Sequence, residues 1–196
     1  MKSKRAMTTR TLACCALLAA LSVVLARLIV PMPNAFTRFS IEAVPIFLAG
    51  LLFGPLAGGM VGFSADLVGC LFSGFGYNPL FCVPPILYGV VAGLFRHRVA
   101  GHHRLFWLAV SFLFAAVVGS VGYQSLTLAY TYYYDPNVEG SLRQGLVYFL
   151  STRSVQFAVT AAIDISIIFL LLQLRLFERL RLWPPTERRG YDHDDR

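Results

Sequence analysis

The sequence predicts an all-α integral membrane protein with six transmembrane helices and both termini in the cytoplasm. Hydrophobic residues make up 57% of the 196-residue chain, and its mean hydropathy is +0.64. Charged residues make up only 14%, whereas a soluble domain carries about 25%. These charges lie mainly at the two ends and in one central loop, so long apolar runs remain between them. Such runs are typical of helices that cross a lipid bilayer.

The first helix is predicted between a basic N-terminus and a proline-containing loop. Residues 11–30 form an apolar run that is interrupted only by Arg27, and about 20 apolar residues suffice to cross the hydrocarbon. A basic start before an apolar run is also typical of a secretory signal peptide. This run is long for one, however, and no small-x-small cleavage site precedes the next polar stretch. We therefore expect a retained helix that ends at Pro31.

Three apolar runs in the central region are predicted to form the second, third and fourth helices. The Gly54-Pro55 pair separates the first two of them because proline rarely continues a helix. Small residues four apart let helix backbones approach closely, and they recur at Gly50, Gly54, Gly58 and Gly62. The three runs span Ile41 to Phe53, Leu56 to Phe72, and Pro79 to Phe95 with a kink at Pro84-Pro85.

Two longer runs follow a short basic loop at residues 96–104. The fifth predicted helix spans Leu105 to about Ala129, and the sixth spans Leu146 to about Leu176. The predicted organisation is a basic cytoplasmic N-terminus at residues 1–10, a transmembrane domain at residues 11–176 and a charged cytoplasmic tail at residues 177–196.

Positive charge decides whether the short second run counts as a crossing. With six crossings, the N-terminus, the loop 96–104 and the C-terminal tail share one side, which holds 13 of the 17 Lys and Arg residues when Arg175 at the end of the sixth run is included. With five crossings, the loop would lie opposite the N-terminus. Positive residues favour the cytoplasmic side, so six crossings are predicted. The same argument assigns the net charge of +7 to membrane topology and not to nucleic-acid binding.

Five ionisable residues in the apolar runs are the candidates for function, because burying such a group in a membrane is costly. With Arg38 in the adjoining loop, these residues give the outward half of the predicted bundle three arginines and up to two acids. Arginine offers a rigid fork for carboxylates, and an aspartate can pair with an amide or amino edge. An anionic ligand with such an edge would fit. The five residues are Arg27, Glu42, Asp66, Arg153 and Asp164.

Structural roles stay open for the same residues. The arginines can extend to the membrane interface, and Glu42 can stabilise the start of a helix. Either aspartate can bond to neighbouring helices, and Asp164 lies deeper, which favours a structural role. Arg153 and Gln156 are three residues apart and share a helix face. Aromatic side chains that could stack on a flat ligand are Phe75, Tyr77, Phe81 and Tyr123.

Signatures of catalysis and metal binding are missing from the sequence. It contains no GxxxxGK[ST] loop, so we expect no ATP site in this chain, and it contains no GxSxG or HExxH motif. The four cysteines form no CxxC pair, and the four histidines lie in polar segments. No cofactor or metal is expected, and a small membrane enzyme is the least favoured alternative.

Motifs along residues 11–98 carry a resemblance to a known family. They are RFS-E-xPI-LAG-LFGP, the DLVG after a glycine-rich helix, GYNP, YG-x3-GL at the end of the fourth run, and LLAALSVVLARL in the first. They resemble the substrate-binding S components of energy-coupling factor (ECF) vitamin transporters, and among these the folate type. Beyond residue 98 the resemblance is weaker. The segment YQSLTLAYTYYY departs from the fifth-helix pattern of the family.

The resemblance implies a six-helix protein of the bacterial plasma membrane that binds a vitamin near its outer face. Such proteins associate with a transmembrane coupling protein and two cytoplasmic ATPases, which supply the energy. An AxxxA pattern on the first helix contacts the coupling protein. Ala16 and Ala20 match that pattern, and Ala13 lies on the same helix. Packing within the bundle is the alternative role for these alanines.

Folate is the ligand that the residues and the resemblance together favour. Its two carboxylates suit the arginines, the pteridine edge suits Asp66, and Tyr77 and Phe81 would stack on the ring or close the pocket. S components for thiamine, riboflavin or biotin are alternatives, as is a structural subunit without a ligand. The predicted substrate contacts are Arg27, Arg38, Asp66, Tyr77, Phe81, Arg153 and Gln156.

Overall fold

Helices account for nearly all of the protein that the structure, a computed structural model, describes. The described residues are 9–27, 30–31, 38–39, 41–72, 79–133 and 140–174. The helices are α1 (Thr9–Arg27), α2 (Ala43–Phe53), α3 (Pro55–Leu71), α4 (Val83–Val99), α5 (Arg104–Ala115), α6 (Gln124–Tyr133) and α7 (Ser141–Gln173). A 3-10 turn (Pro79–Cys82) leads into α4, and a π segment (Ala116–Tyr123) joins α5 to α6. Two short strands, β1 (Val30–Pro31) and β2 (Arg38–Phe39), pair antiparallel.

Within the described ranges, the helices form six consecutive helical rods, which is compatible with the six predicted crossings. Four rods are long and apolar enough to cross a membrane: Thr9–Ala26, Pro79–Val99, Arg104–Tyr132 and Ser141–Gln173. The other two, α2 and α3, are shorter apolar helices. The prediction of an all-α membrane protein is therefore confirmed, with the β1–β2 pair as a small addition. The cytoplasmic placement of both ends stays a prediction, and residues 1–8 and 175–196 lie outside the described residues.

Gly54 separates α2 from α3, as the sequence predicts. Its φ of 100° lies in a region that favours glycine, and Pro55 follows as the first residue of α3, where its missing N–H removes no helical hydrogen bond. A Cβ on Gly58 would lie 2.6 Å from the Cα of Gly50. The two short helices therefore fold back on each other at backbone contact.

A seam of glycines joins α3 to α4. A Cβ on Gly62 would lie 2.6 Å from the carbonyl carbon of Pro85, and one on Gly89 would collide with the carbonyl group of Gly58. Because position 62 faces 85 while 58 faces 89, the two helices run antiparallel. The four-residue glycine spacing thus serves packing inside the bundle, as predicted for this region.

The core lies between α2, α4 and α5. The rings of Phe47, Tyr88 and Phe112 meet there, with 5.2 Å between the centroids of Phe112 and each of the other two. Nine consecutive residues of α2 are buried, from Val44 to Leu52. Although α2 is the second helix in the chain, it is a central element of the packing.

Two local expectations need correction around α4. Pro84 and Pro85 lie in the first turn of α4 and do not kink its middle, since a 3-10 turn precedes them and the helix starts there. The basic stretch is also more helical than predicted, because α4 continues to Val99. The guanidinium carbon of Arg98 lies 4.6 Å from the ring centroid of Trp107 at the start of α5, a cation–π contact that ties the two helix ends together.

Candidate functional site

Arg153 lies in the middle of α7 and is buried inside the bundle, with only 7% of its surface exposed. Its Nη2 donates a hydrogen bond to Oε1 of Gln124 over 3.0 Å, and its guanidinium lies 6.0 Å from the ring centroid of Phe157. Within the described chain, its Nε–H has no acceptor and no carboxylate lies at ion-pair distance. A buried cation without an acidic partner is unfavourable, so an anionic ligand group would be stabilised here.

Gln124 holds this guanidinium, and sequence reasoning missed it. Its Oε1 accepts hydrogen bonds from Nη2 of Arg153 and, over 3.2 Å, from Oγ of Ser120. Ser120 is buried in the π segment, and Gln124 is the first residue of α6. The available signal was a pair of uncharged polar residues four apart in an apolar run, which is weaker than the signal of a charge.

The π segment brings Ser120 and Gln124 to this position. π-helices are rare in proteins overall, but those that occur often lie at functional sites. Here it is rich in glycine and valine, and a Cβ on Gly119 would lie 3.0 Å from Cδ2 of Leu87 and 3.5 Å from Cα of Pro84. The widened turn thus packs closely on the start of α4 and carries the polar side chains toward α7.

Asp66 lies against the end of the 3-10 turn that contains Phe81. Asp66 is half-buried on α3, and its carboxyl group accepts a hydrogen bond from the thiol of Cys82, the residue after Phe81. Its Oδ2 has no hydrogen-bond partner among the residues described here. An ionised carboxylate only accepts hydrogen bonds, so this oxygen could accept from the amino edge of a ligand.

The predicted contacts that the structure describes form two adjoining groups. Asp66 and Phe81 make the first, while Arg153 and the half-buried Gln156, one turn apart on α7, make the second. Phe81 packs against a cluster that includes Phe149, which lies one helical turn before Arg153. The 3-10 turn of the first group therefore packs close to the turn of α7 that precedes the second group.

Three other predicted contacts cannot be placed in the same detail. Arg27 is the last residue of α1, and Arg38 lies in β2, where it pairs with Pro31. The β1–β2 pairing returns the backbone of Arg38 to the segment that follows Arg27, while both side chains and the whole of Tyr77 lie outside the described part. The roles of these three residues stay predictions.

The remaining ionisable candidates, Glu42 and Asp164, differ in burial: Glu42 is exposed just before α2, whereas Asp164 is buried on α7. Glu42 precedes α2 without a side-chain hydrogen bond that caps it, so it does not act as the hydrogen-bonding cap of that helix. Asp164 is 2% exposed on α7, and its Oδ1 has no partner in the described ranges. The buried Tyr88 lies within electrostatic range of both acids and of Arg153.

The predicted partner surface lies on α1. Ala13, Ala16 and Ala20 are all exposed. Ala16 and Ala20 also line an apolar groove of about 530 Å³ between α1 and α3, with Ala57 and Val61 on the opposite wall. This exposure leaves the alanines accessible to another protein. Their role as an interface stays a prediction.

Comparisons with known proteins agree on one family. The family model described as "ECF transporter, substrate-specific component" matches residues 10–172. The fold is similar to the crystal structure of FolT bound with folic acid, with a TM-score of 0.66 and 22% identity, covering 84% of this chain and 93% of that one. It is also similar to the S-component for biotin from an ECF-type ABC transporter, with a TM-score of 0.56 and 18% identity, covering 90% and 95%. No curated protein sequence matches the chain.

Proposed function

Because the chain belongs to the family of ECF transporter substrate-specific components, we propose that it captures folate or a related pterin for import. Members of this family bind a substrate in the membrane and are not enzymes. The likeness to a structure bound with folic acid supports folate as the ligand. Delivery would depend on a coupling protein and two ATPases, in line with the absence of an ATP-binding loop from the sequence.

The observation that carries the choice of ligand is the buried guanidinium of Arg153. Its Nε–H points to no acceptor in the described part of the chain. Hydrogen bonds from arginine to a carboxylate are among the strongest in proteins, and folate ends in a glutamate with two carboxylates. Arg27 and Arg38 are proposed to hold the same end of the ligand.

The other end of the ligand would lie at the 3-10 turn. Asp66 offers Oδ2 to the amino and N–H donors of a pteridine edge. Phe81 precedes Cys82, the hydrogen-bond partner of Asp66, and Phe81 and Tyr77 are proposed to close the same face of the ring. Gln156 would contribute a polar contact between the two ends. Phe81, which is only half-buried, offers an aromatic surface to the flat middle of folate.

Ligand identification tests the proposal directly. The full chain is purified in detergent without added vitamin and denatured, and its bound small molecules are identified by mass spectrometry. Folate is then titrated by calorimetry, which does not depend on a tryptophan at the site. We expect a copurifying pterin or saturable folate binding. Another bound vitamin would replace the substrate, and no ligand from a full vitamin panel would contradict a capture function.

A biotin-type ligand is the second candidate, because the chain also shares the fold of a biotin S-component. Biotin has one carboxylate, which Arg153 could bind, and a ureido group, which could donate to Asp66. It lacks a second carboxylate for the additional arginines and a flat aromatic ring for Phe81. Calorimetry with both vitamins under the same conditions separates the two candidates.

A further inference from the structure

Gln124 stands between the buried arginine and the π segment, outside the set of proposed ligand contacts. Arginine only donates hydrogen bonds, so the atom of Gln124 that faces Nη2 of Arg153 must be the carbonyl oxygen. The hydroxyl of Ser120 donates to the same oxygen. Two donors from two different segments therefore fix the orientation of the Gln124 amide.

Gln124 anchors the guanidinium of Arg153, and the charge of this anchor is as informative as its geometry. A carboxylate at position 124 would form an ion pair with Arg153 and cancel much of the field that attracts an anion. A neutral amide holds the guanidinium while leaving its positive charge available. The Nε–H of Arg153, which belongs to a side chain that is more than nine-tenths buried, has no acceptor among the described residues. The guanidinium therefore keeps one hydrogen-bond donor that no described residue satisfies.

We propose that Gln124 is a positioning residue that holds Arg153 ready for a ligand carboxylate, with Ser120 and the π segment as its support. This inference rests on the proposed function, because it assigns the ligand carboxylate to Arg153. An unanchored arginine loses much rotamer freedom when it binds a ligand. An arginine that is already held in place loses less, and affinity rises accordingly.

Calorimetric titration of folate against the full chain in detergent tests this inference with four variants. Gln124→Leu removes the anchor, and Gln124→Glu keeps an acceptor of the same size but neutralises the charge. Arg153→Gln removes the cation, and Gln144→Leu is the control, since Gln144 is exposed near the start of α7. We expect both Gln124 variants to weaken folate binding roughly ten- to a hundredfold, the range for a hydrogen bond to a charged group. The control should bind like the parent protein.

The double variant Gln124→Leu/Arg153→Gln separates positioning from a general loss of structure. If Gln124 acts through Arg153, its substitution should weaken binding no further once Arg153 is gone. An equal loss in both backgrounds would overturn the inference, as would parent-like binding by Gln124→Glu. Should Arg153→Gln weaken binding while the Gln124 variants do not, only this inference fails. Should Arg153→Gln itself bind folate normally, the proposed carboxylate site fails.

Discussion

The two aspartates of the membrane region differ in their surroundings, although the sequence presents both as acids in apolar runs. Asp66 is half-buried and accepts a hydrogen bond from the thiol of Cys82, the residue after Phe81. Asp164 is almost fully buried, within electrostatic range of Tyr88. Each has one oxygen without a hydrogen-bond partner in the described part. Only Asp66 adjoins another proposed ligand contact, so the two acids should differ in function.

Isosteric substitution of the two aspartates tests this difference. Asp66→Asn removes the charged acceptor for the pteridine edge, and we expect folate affinity to fall by about tenfold or more. Asp164→Asn changes a group outside the site and should leave affinity within about twofold of the parent value. Calorimetry gives both dissociation constants, and thermal unfolding shows whether either protein is destabilised. Equal losses of affinity would contradict the assignment.

Charged side chains could be found from the sequence, whereas their neutral partners could not. Arg153 and Asp66 were predicted because a charge in an apolar run is conspicuous. Gln124 and Ser120 carry no such signal, and their role depends on a turn geometry that brings α6 to α7. Arg27, Arg38 and Tyr77 were predicted from charge, ring type and resemblance, and their contacts stay predictions.

At the scale of elements, glycine contacts determine how the first half of the bundle assembles. Gly89 sits against the backbone of Gly58, and Gly50 lies so close to α4 that a Cβ there would be 2.8 Å from Cβ of Ala92. Close approach of this kind replaces the hydrophobic effect as a source of helix association in lipid. In contrast, a Cβ on Gly69 would meet no atom within 4 Å.

A pair of alanine substitutions measures how much the glycine contacts between α3 and α4 contribute to stability. Gly89→Ala places a methyl group against a backbone carbonyl that cannot move independently, and we expect a loss of stability of about 3 kcal/mol. Gly69→Ala fills open space, and alanine favours helix over glycine by up to about 1 kcal/mol, so its stability should be unchanged or slightly higher. Thermal unfolding in detergent compares the two variants. Equal melting temperatures would show that α4 can move away from α3 without cost.

The sequence predicted the break between α2 and α3, but it missed the early start of α7 at Ser141 and the irregular geometry between other helices. The Gly54-Pro55 pair is a local signal for the end of a helix, and α2 and α3 are separated there. The π segment depends on how Gly119 packs against Pro84 and Leu87, which are distant in sequence. The Pro84-Pro85 pair was interpreted as a kink because nothing in the sequence marked the 3-10 turn that precedes it.

At the scale of the whole molecule, the candidate site and the proposed partner surface use different residues, although α1 and α3 contribute to both. Arg153 lies on α7, Gln124 on α6 and Phe81 in the 3-10 turn. Ala16 and Ala20, in contrast, face the groove between α1 and α3. Substitutions in the groove should therefore separate ligand capture from assembly with a coupling protein.

Bulky side chains in the groove make this separation testable. The double variant Ala16→Trp/Ala20→Trp fills the surface that the AxxxA pattern offers. We expect unchanged folate affinity and at least about tenfold weaker copurification with the coexpressed coupling protein, as for residues central to an interface. Leu17→Trp is the control, since Leu17 is 71% exposed and does not line the groove. Normal assembly of the double variant would place the partner elsewhere.

The shortness of α2 has an electrical consequence. Eleven residues extend about 16 Å at 1.5 Å per residue, roughly half of the 30 Å hydrocarbon layer. The end of α2 at Gly54 lies near Arg96 of the basic α4 terminus, so on the predicted orientation the outer half above α2 is not filled by this helix. A ligand could be captured there before it has crossed most of the membrane potential. Moving two negative charges across the remaining field takes up to about 4.6 kcal/mol per 100 mV, which explains why a dianionic vitamin would need an energised step after capture.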